Sequence, residues 1–139
     1  MKIETVSSIE RIKDFCKKSF KDICPFINYD FFSLLEKSEC TTEQKGWKPE
    51  HIVIREGNNV KAFIPNFRKF NSLGEFVFDQ IFENAFYQLG QDYFPKFLSA
   101  IPFTPVTRNN FFYSSSNLDT DKLCEQLKSF FLKKKISSF

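Results

Sequence analysis

The chain has 139 residues, with 20 Lys or Arg against 17 Asp or Glu and a formal net charge of +3. That length suits one domain around one core, and a hydrophobic share of 42% with 27% charged residues indicates neither a disordered tail nor a membrane protein. Cations and acids are interspersed, without the dense basic stripe that phosphate neutralisation requires, so nucleic acid is not expected as a primary partner.

The opening "MKIETV" alternates enough for a short strand, and Ser7 with Glu10 has the spacing of a capping box at a helix start. The helix that follows carries Ile9, Ile12, Cys16 and Phe20 on one side, with Lys13, Lys17 and Lys18 elsewhere, and Pro25 stops it. Asn28 caps a second helix through Phe31, Phe32, Leu34 and Leu35, and the polar "EKSECTTEQKG" forms its exit. "HIVIREGNNVKAFIP" reads as an antiparallel hairpin around Gly57, Asn58 and Asn59, residues that accept positive φ.

A third helix has Ile81, Phe82, Ala85, Phe86 and Leu89 on its inner face, Asp79 as N-cap and Gly90 at its end. Residues 96–101 can extend as a strand, and Pro102 and Pro105 deny backbone donors, so the chain beyond lies at an edge or leaves the sheet. Residues 111–113 offer a further short strand. Asp119 or Thr120 caps a last helix with Leu123, Leu127, Phe130 and Phe131 inside and Lys133, Lys134 and Lys135 at its negative end. The closing "ISSF" reads as the start of another strand, so a fragment ending in mid-element is expected. The fold class that results is α/β, a mixed sheet flanked by helices, in one partial domain over residues 1–139.

Cys16, Cys24, Cys40 and Cys124 show no C-x-x-C spacing and no secretory leader precedes them, which predicts reduced thiols in the cytoplasm. His51 stands far from every cysteine, so no metal site is expected. No uncharged apolar run is long enough to span a bilayer. The 20 Phe are read mostly as core filler.

The segment "YFPKFLSAIPFTPVTRNNFF" follows neither helical nor strict strand period. Its prolines stiffen the backbone, its aromatics supply flat walls, and Lys96 and Arg108 place charge at either end, a combination suited to lining a cleft for an extended substrate. The competing reading is a buried strand with a proline-rigid exit. Trp47, Tyr93, Phe94, Lys96, Thr104 and Arg108 are the candidate substrate-binding residues. Glu75, beside Gly74 and hard to explain as a cap, is the candidate general base. Asp79 is either a second base or a helix cap. His51 is either a ring hydrogen-bonded to backbone or a proton shuttle.

Three stretches in order, "GWKPEH" (46–51), "NSLGEFVFD" (71–79) and "YFPKFLSAIPFTPVT" (93–107), together with "PFINYDFFSLLEKS" (25–38), resemble the signatures of a bacterial family of FemAB-related peptidoglycan biosynthesis or recognition proteins, within the GNAT-like acyltransferase superfamily. The resemblance implies two GNAT-like halves around a cleft, this chain being the first. It implies an N-acyltransferase that moves an acyl or aminoacyl group to an amine of a small molecule or peptide. The alternatives are a non-catalytic muropeptide-binding module and an inactive truncated product. No cofactor is expected within this stretch; an acyl-CoA or aminoacyl donor would bind the full-length protein. The expected protein contact is the missing C-terminal half, or self-association through an exposed sheet edge. Two departures stand out. Asn71-Ser72 replaces a common His-Ser pair, and Thr107, Arg108, Asn109 and Asn110 stand where Thr-Gly-Pro-Arg is usual. No glycine pair of the kind that cradles pyrophosphate precedes Asp119.

Overall fold

The structure is a computed structural model that describes residues 1–20, 24–105, 112–113 and 119–139. The chain runs β1 (Lys2–Val6), a 3₁₀ turn (Ile9–Ile12), α1 (Lys13–Ser19), α2 (Tyr29–Lys37), β2 (Trp47–Pro49), β3 (His51–Glu56), β4 (Asn59–Ile64), β5 (Phe67–Lys69), α3 (Gln80–Gln88), β6 (Lys96–Leu98), β7 (Phe112–Tyr113) and α4 (Thr120–Leu132). The expected α/β class forms. Its strands are divided between two sheets, ordered β1-β3-β4-β7 and β2-β5-β6, and every pairing among the described residues is antiparallel.

One interrupted hairpin generates both sheets. Only Glu50 separates β2 from β3, and only Pro65 and Asn66 separate β4 from β5. Pro65 cannot donate to a ladder, and the fully buried Asn66 takes over the joint. Its backbone N–H donates to His51 Nδ1 at 3.2 Å, its side-chain amide donates to the Glu50 carbonyl at 3.0 Å, and its Oδ1 accepts from Ser99 at 3.3 Å. The Asn66 carbonyl accepts in turn from the Glu50 N–H at 3.0 Å. At the other end, Gly57 alone of the three expected turn residues has positive φ, +58°, and Asn59 already begins β4.

The first sheet is covered on both faces, so residues 51–54 of β3 are buried in succession rather than alternately. Val53 and Phe63 pack with Ile9, Ile12, Cys16 and Phe32. Ile54 and Ala62 pack under Leu123 of α4. Burial pushes the Cys16 thiol up to about 12, with the Glu36 charge adding to the effect, so this cysteine is neutral packing.

Several expected details shift by a residue or a face. Ser8, not Ser7, caps the 3₁₀ turn, its Oγ accepting from the Glu10 N–H at 3.2 Å. The reason is long-range, because Ser8 Oγ also donates to Glu36 of α2 at 2.7 Å. Asn28 caps α2 as expected, accepting from the Phe31 N–H at 2.7 Å, but Tyr29, Phe32 and Ser33 are its buried residues and Leu34 is exposed. Asp119 rather than Thr120 caps α4, accepting from Lys122 N–H at 3.1 Å. The helix of α3 forms and Gly90 ends it with φ +68°, yet none of its residues is buried, Ile81 being 80% exposed. Periodicity reports that a helix has an apolar stripe, not that another element covers it. The closing residues pair with β6: Ser137 N–H donates to the Pro95 carbonyl at 3.0 Å and Phe97 N–H to the Ser138 carbonyl at 2.9 Å.

Among the described residues, no helix is long and apolar enough to cross a membrane. All four cysteines are free.

Glu36 is the main polar tie between α2, the 3₁₀ turn and β3: it accepts from Ser8 and from the Ile9 N–H at 3.0 Å, and meets His51 Nε2 at 3.1 Å. Glu36→Ala strands those donors in the interior and should cost roughly 2 to 3 kcal/mol, read as a lower urea midpoint in equilibrium unfolding.

Candidate functional site

Strand alternation on β5 aims Phe67 and Lys69 inward and turns Arg68 away to Glu50, at 2.7 Å from its Oε2. Lys69 lies directly opposite Trp47 on β2 and Lys96 on β6, so the three occupy neighbouring positions across the second sheet. Its Nζ sits 3.6 Å from the centroid of the Trp47 ring, a cation–π contact. The same ammonium donates to the Leu73 carbonyl at 3.1 Å, and Trp47 Nε1 donates to that carbonyl at 2.8 Å. Both donors therefore draw the 71–75 turn onto the sheet.

Gly74 permits that approach. It has φ +76°, and a Cβ there would stand 2.6 Å from Phe103 Cδ1 and 3.2 Å from Trp47 Nε1. No larger side chain fits without displacing the indole or the Phe103 ring. The turn delivers Glu75, whose side chain is 3% exposed, between the two lysines. Lysines directly opposite on paired strands repel, and Glu75 offsets this: Lys96 Nζ donates to its Oε2 at 2.7 Å, while Lys69 Nζ lies 3.6 Å from its Oε1. Oε1 accepts no hydrogen bond. Asp79 completes a neutral quartet. It accepts from Lys96, from Tyr93 Oη at 3.0 Å and from Ser72 Oγ at 3.5 Å.

These partners shift the titrations. Burial opposes charge on Asp79, but the hydrogen bonds from Lys96 and Tyr93 outweigh it and hold the carboxyl below its usual range. Burial likewise opposes the Lys96 ammonium, and Asp79 and Glu75 outweigh it to raise the amine above its usual value. Tyr93 is raised by burial and by donating to Asp79, so it remains a protonated donor. Lys69 goes the other way: burial brings it down to about 8, against the pull of Glu75 and with the like charge of Lys96 assisting.

Beside the quartet lies a cavity of about 310 Å³. Trp47, Val77, Phe97, Leu98 and Ile101 give it apolar walls, and Glu75, Asp79, Tyr93, Lys96 and Thr104 its polar groups. Five of the expected site residues, Trp47, Glu75, Tyr93, Lys96 and Thr104, thus meet around one space. Phe94 packs edge-on against Tyr93 at 5.0 Å and is not part of the lining. Arg108 lies outside the described residues. His51 takes the backbone-bonded arrangement of its two expected ones: its Nδ1 accepts from Asn66, its Nε2 faces Glu36, and its ring is enclosed by Phe32, Phe63 and Phe67 away from the cavity. Asp79 makes no side-chain cap to α3 and belongs to the charge cluster instead. Lys69 was missed. Among the described residues, no cluster of His, Cys, Asp and Glu could hold a metal ion.

The cavity thus combines apolar walls, Trp47 and Ile101 among them, with the carboxylates of Glu75 and Asp79. Over residues 6–139 the chain matches the family described as FemAB-like, peptidoglycan biosynthesis/recognition. The chain belongs to that family. No curated relative and no solved structure matches it.

Two outcomes follow from the quartet. Lys96→Met removes the cation shared by two buried carboxylates and should cost about 3 to 5 kcal/mol in urea unfolding. The lowered Asp79 contributes stability that is complete above about pH 5 and lost as pH falls below about 4. The urea midpoint of the wild-type protein should therefore drop more steeply across that window than the midpoint of Asp79→Asn.

Proposed function

We propose that the cavity holds the acceptor end of an N-acyltransferase of peptidoglycan peptide metabolism, working in the cytoplasm, with Glu75 as the base for the attacking amine. The observation that carries this reading is Glu75, a residue of the cavity lining whose buried Oε1 accepts no hydrogen bond from the protein and has Lys69 Nζ 3.6 Å away. A buried acceptor without a donor costs about 1 to 3 kcal/mol, and an N–H entering the cavity removes that cost. Lys96 grips the other oxygen and is itself held by Asp79, so the carboxylate keeps its place while Oε1, beside Lys69, still lacks a hydrogen bond.

In the reaction the amine lone pair adds to the acyl carbonyl carbon while its N–H proton passes to Glu75. The bond from that carbon to the donor's leaving group then breaks, the leaving group departs with the electron pair, and the proton returns to it from Glu75. Trp47 and Tyr93 offer ring surface and Thr104 a hydroxyl for the peptide around the amine. The donor, an acyl-CoA or an aminoacyl carrier, is assigned to the remainder of a two-halved protein. His51 is assigned to the fold rather than to the substrate.

The family description also covers recognition without transfer, and one experiment separates the two. The full-length protein is incubated with a peptidoglycan stem peptide and acyl or aminoacyl donors, and the peptide mass is followed. A mass gain in the wild type, reduced about a hundredfold or more in Glu75→Gln protein that still unfolds cooperatively in urea, is the expected result. Peptide binding without a mass gain would favour recognition, and unchanged turnover in the variant would remove Glu75 from the chemistry.

A further inference from the structure

Lys69 is fully buried, yet it does not border the cavity. Its ammonium reaches the site only through three neighbours: the Trp47 ring 3.6 Å away, the Leu73 carbonyl at 3.1 Å and Glu75 Oε1 at 3.6 Å. The last of these is the oxygen that no hydrogen bond satisfies. We propose that Lys69 is a positioning residue that gates Glu75: protonated, it holds Oε1 back against the 71–75 turn, and neutral, it releases Oε1 to a donor in the cavity. This rests on the reading of Glu75 as the working carboxylate.

The charge arithmetic favours such a gate. With Lys69 protonated, the quartet of Lys69, Lys96, Glu75 and Asp79 is neutral and Glu75 is attracted from both sides. When Lys69 loses its proton the quartet carries one negative charge, and Oε1 has no cation beside it. A cationic or N–H-bearing group in the cavity then replaces what Lys69 supplied. The groups facing Lys69 are few. Glu75 comes from the turn, Lys96 from β6 with Asp79 and Tyr93 beyond it, and Trp47 from β2; Arg68 on its own strand is turned to Glu50. Burial and the like charge of Lys96 bring the Lys69 titration to about 8, inside the range where the gate operates.

Trp47 is the only tryptophan in the sequence, and it stacks on the titrating amine. Its emission therefore reads the gate directly, without any substrate. Wild-type protein excited at 295 nm should show a sigmoidal change with a midpoint near 8. The change should vanish in Lys69→Met, where nothing titrates, and equally in Lys69→Arg, where the charge is permanent. In Glu75→Gln the midpoint should move down, because the attraction that favours protonation is lost. Should Lys69→Met fail to fold, the wild type and Glu75→Gln decide alone. No transition in the wild type between pH 7 and 9.5, a transition that persists in Lys69→Met or Lys69→Arg, or an unmoved midpoint in Glu75→Gln would each overturn the proposal. The assay runs apart from turnover, so a tryptophan transition without acyl transfer sinks only the proposed reaction, and acyl transfer without a transition sinks only the gate.

Discussion

Four buried charges on the second sheet, those of Lys69, Lys96, Glu75 and Asp79, have to neutralise one another, and the candidate site takes its shape from that requirement. Moving an ion out of water costs several kcal/mol even after relaxation, so each of the four stands beside an opposite charge. They come from separate pieces of chain: Lys69 from β5, Lys96 from β6, Glu75 from the turn after β5, and Asp79 from the residue before α3. Satisfying the charges therefore fixes the 71–79 segment on the sheet and leaves a recess beside it. Well-packed apolar side chains would tie these pieces together at least as firmly. Four ions standing where a core would serve are the reason this place is the candidate site.

The joint at Asn66 divides one hairpin between the two sheets. On one side of it, β3 and β4 bury Val53, Phe63, Ile54 and Ala62 between the helices. On the other, β2 and β5 add Trp47 and Phe67 to the same core and carry Lys69 at the candidate site. Asn66 satisfies both strands through its backbone and its amide, so the ladder can break there without stranding buried polar groups. His51 belongs to this joint. Its ring is hydrogen-bonded at both nitrogens and wedged among phenylalanines, which relates the site to the core through Glu36 on α2.

Much of this was legible in the residues. The odd composition of "YFPKFLSAIPFTPVT" gave away a cavity wall, because prolines and a lone lysine have no reason to interrupt an ordinary core strand. Glu75 beside Gly74 stood out because a carboxylate there is hard to explain as a cap, and the glycine proves to have positive φ and to pack where a Cβ would overlap the Phe103 ring. Lys69 was visible in principle. In "FRK" the strand period puts Lys69 on the same side as Phe67, so a buried Phe implies a buried Lys. What the sequence could not give was distance. Ser8 rather than Ser7 caps the first turn because of Glu36, 28 residues away, and the apolar stripe of α3 looked like core because a periodic pattern does not say whether anything covers it.

The account stands on Glu75 Oε1 being the oxygen that meets the substrate. A structure of the protein with a peptidoglycan stem peptide bound tests this most directly. The account predicts a peptide amine in the recess between Trp47 and Ile101, its nitrogen within about 3.2 Å of Oε1, with Lys96 still on Oε2. A peptide bound elsewhere, with Oε1 still lacking any donor, would contradict it.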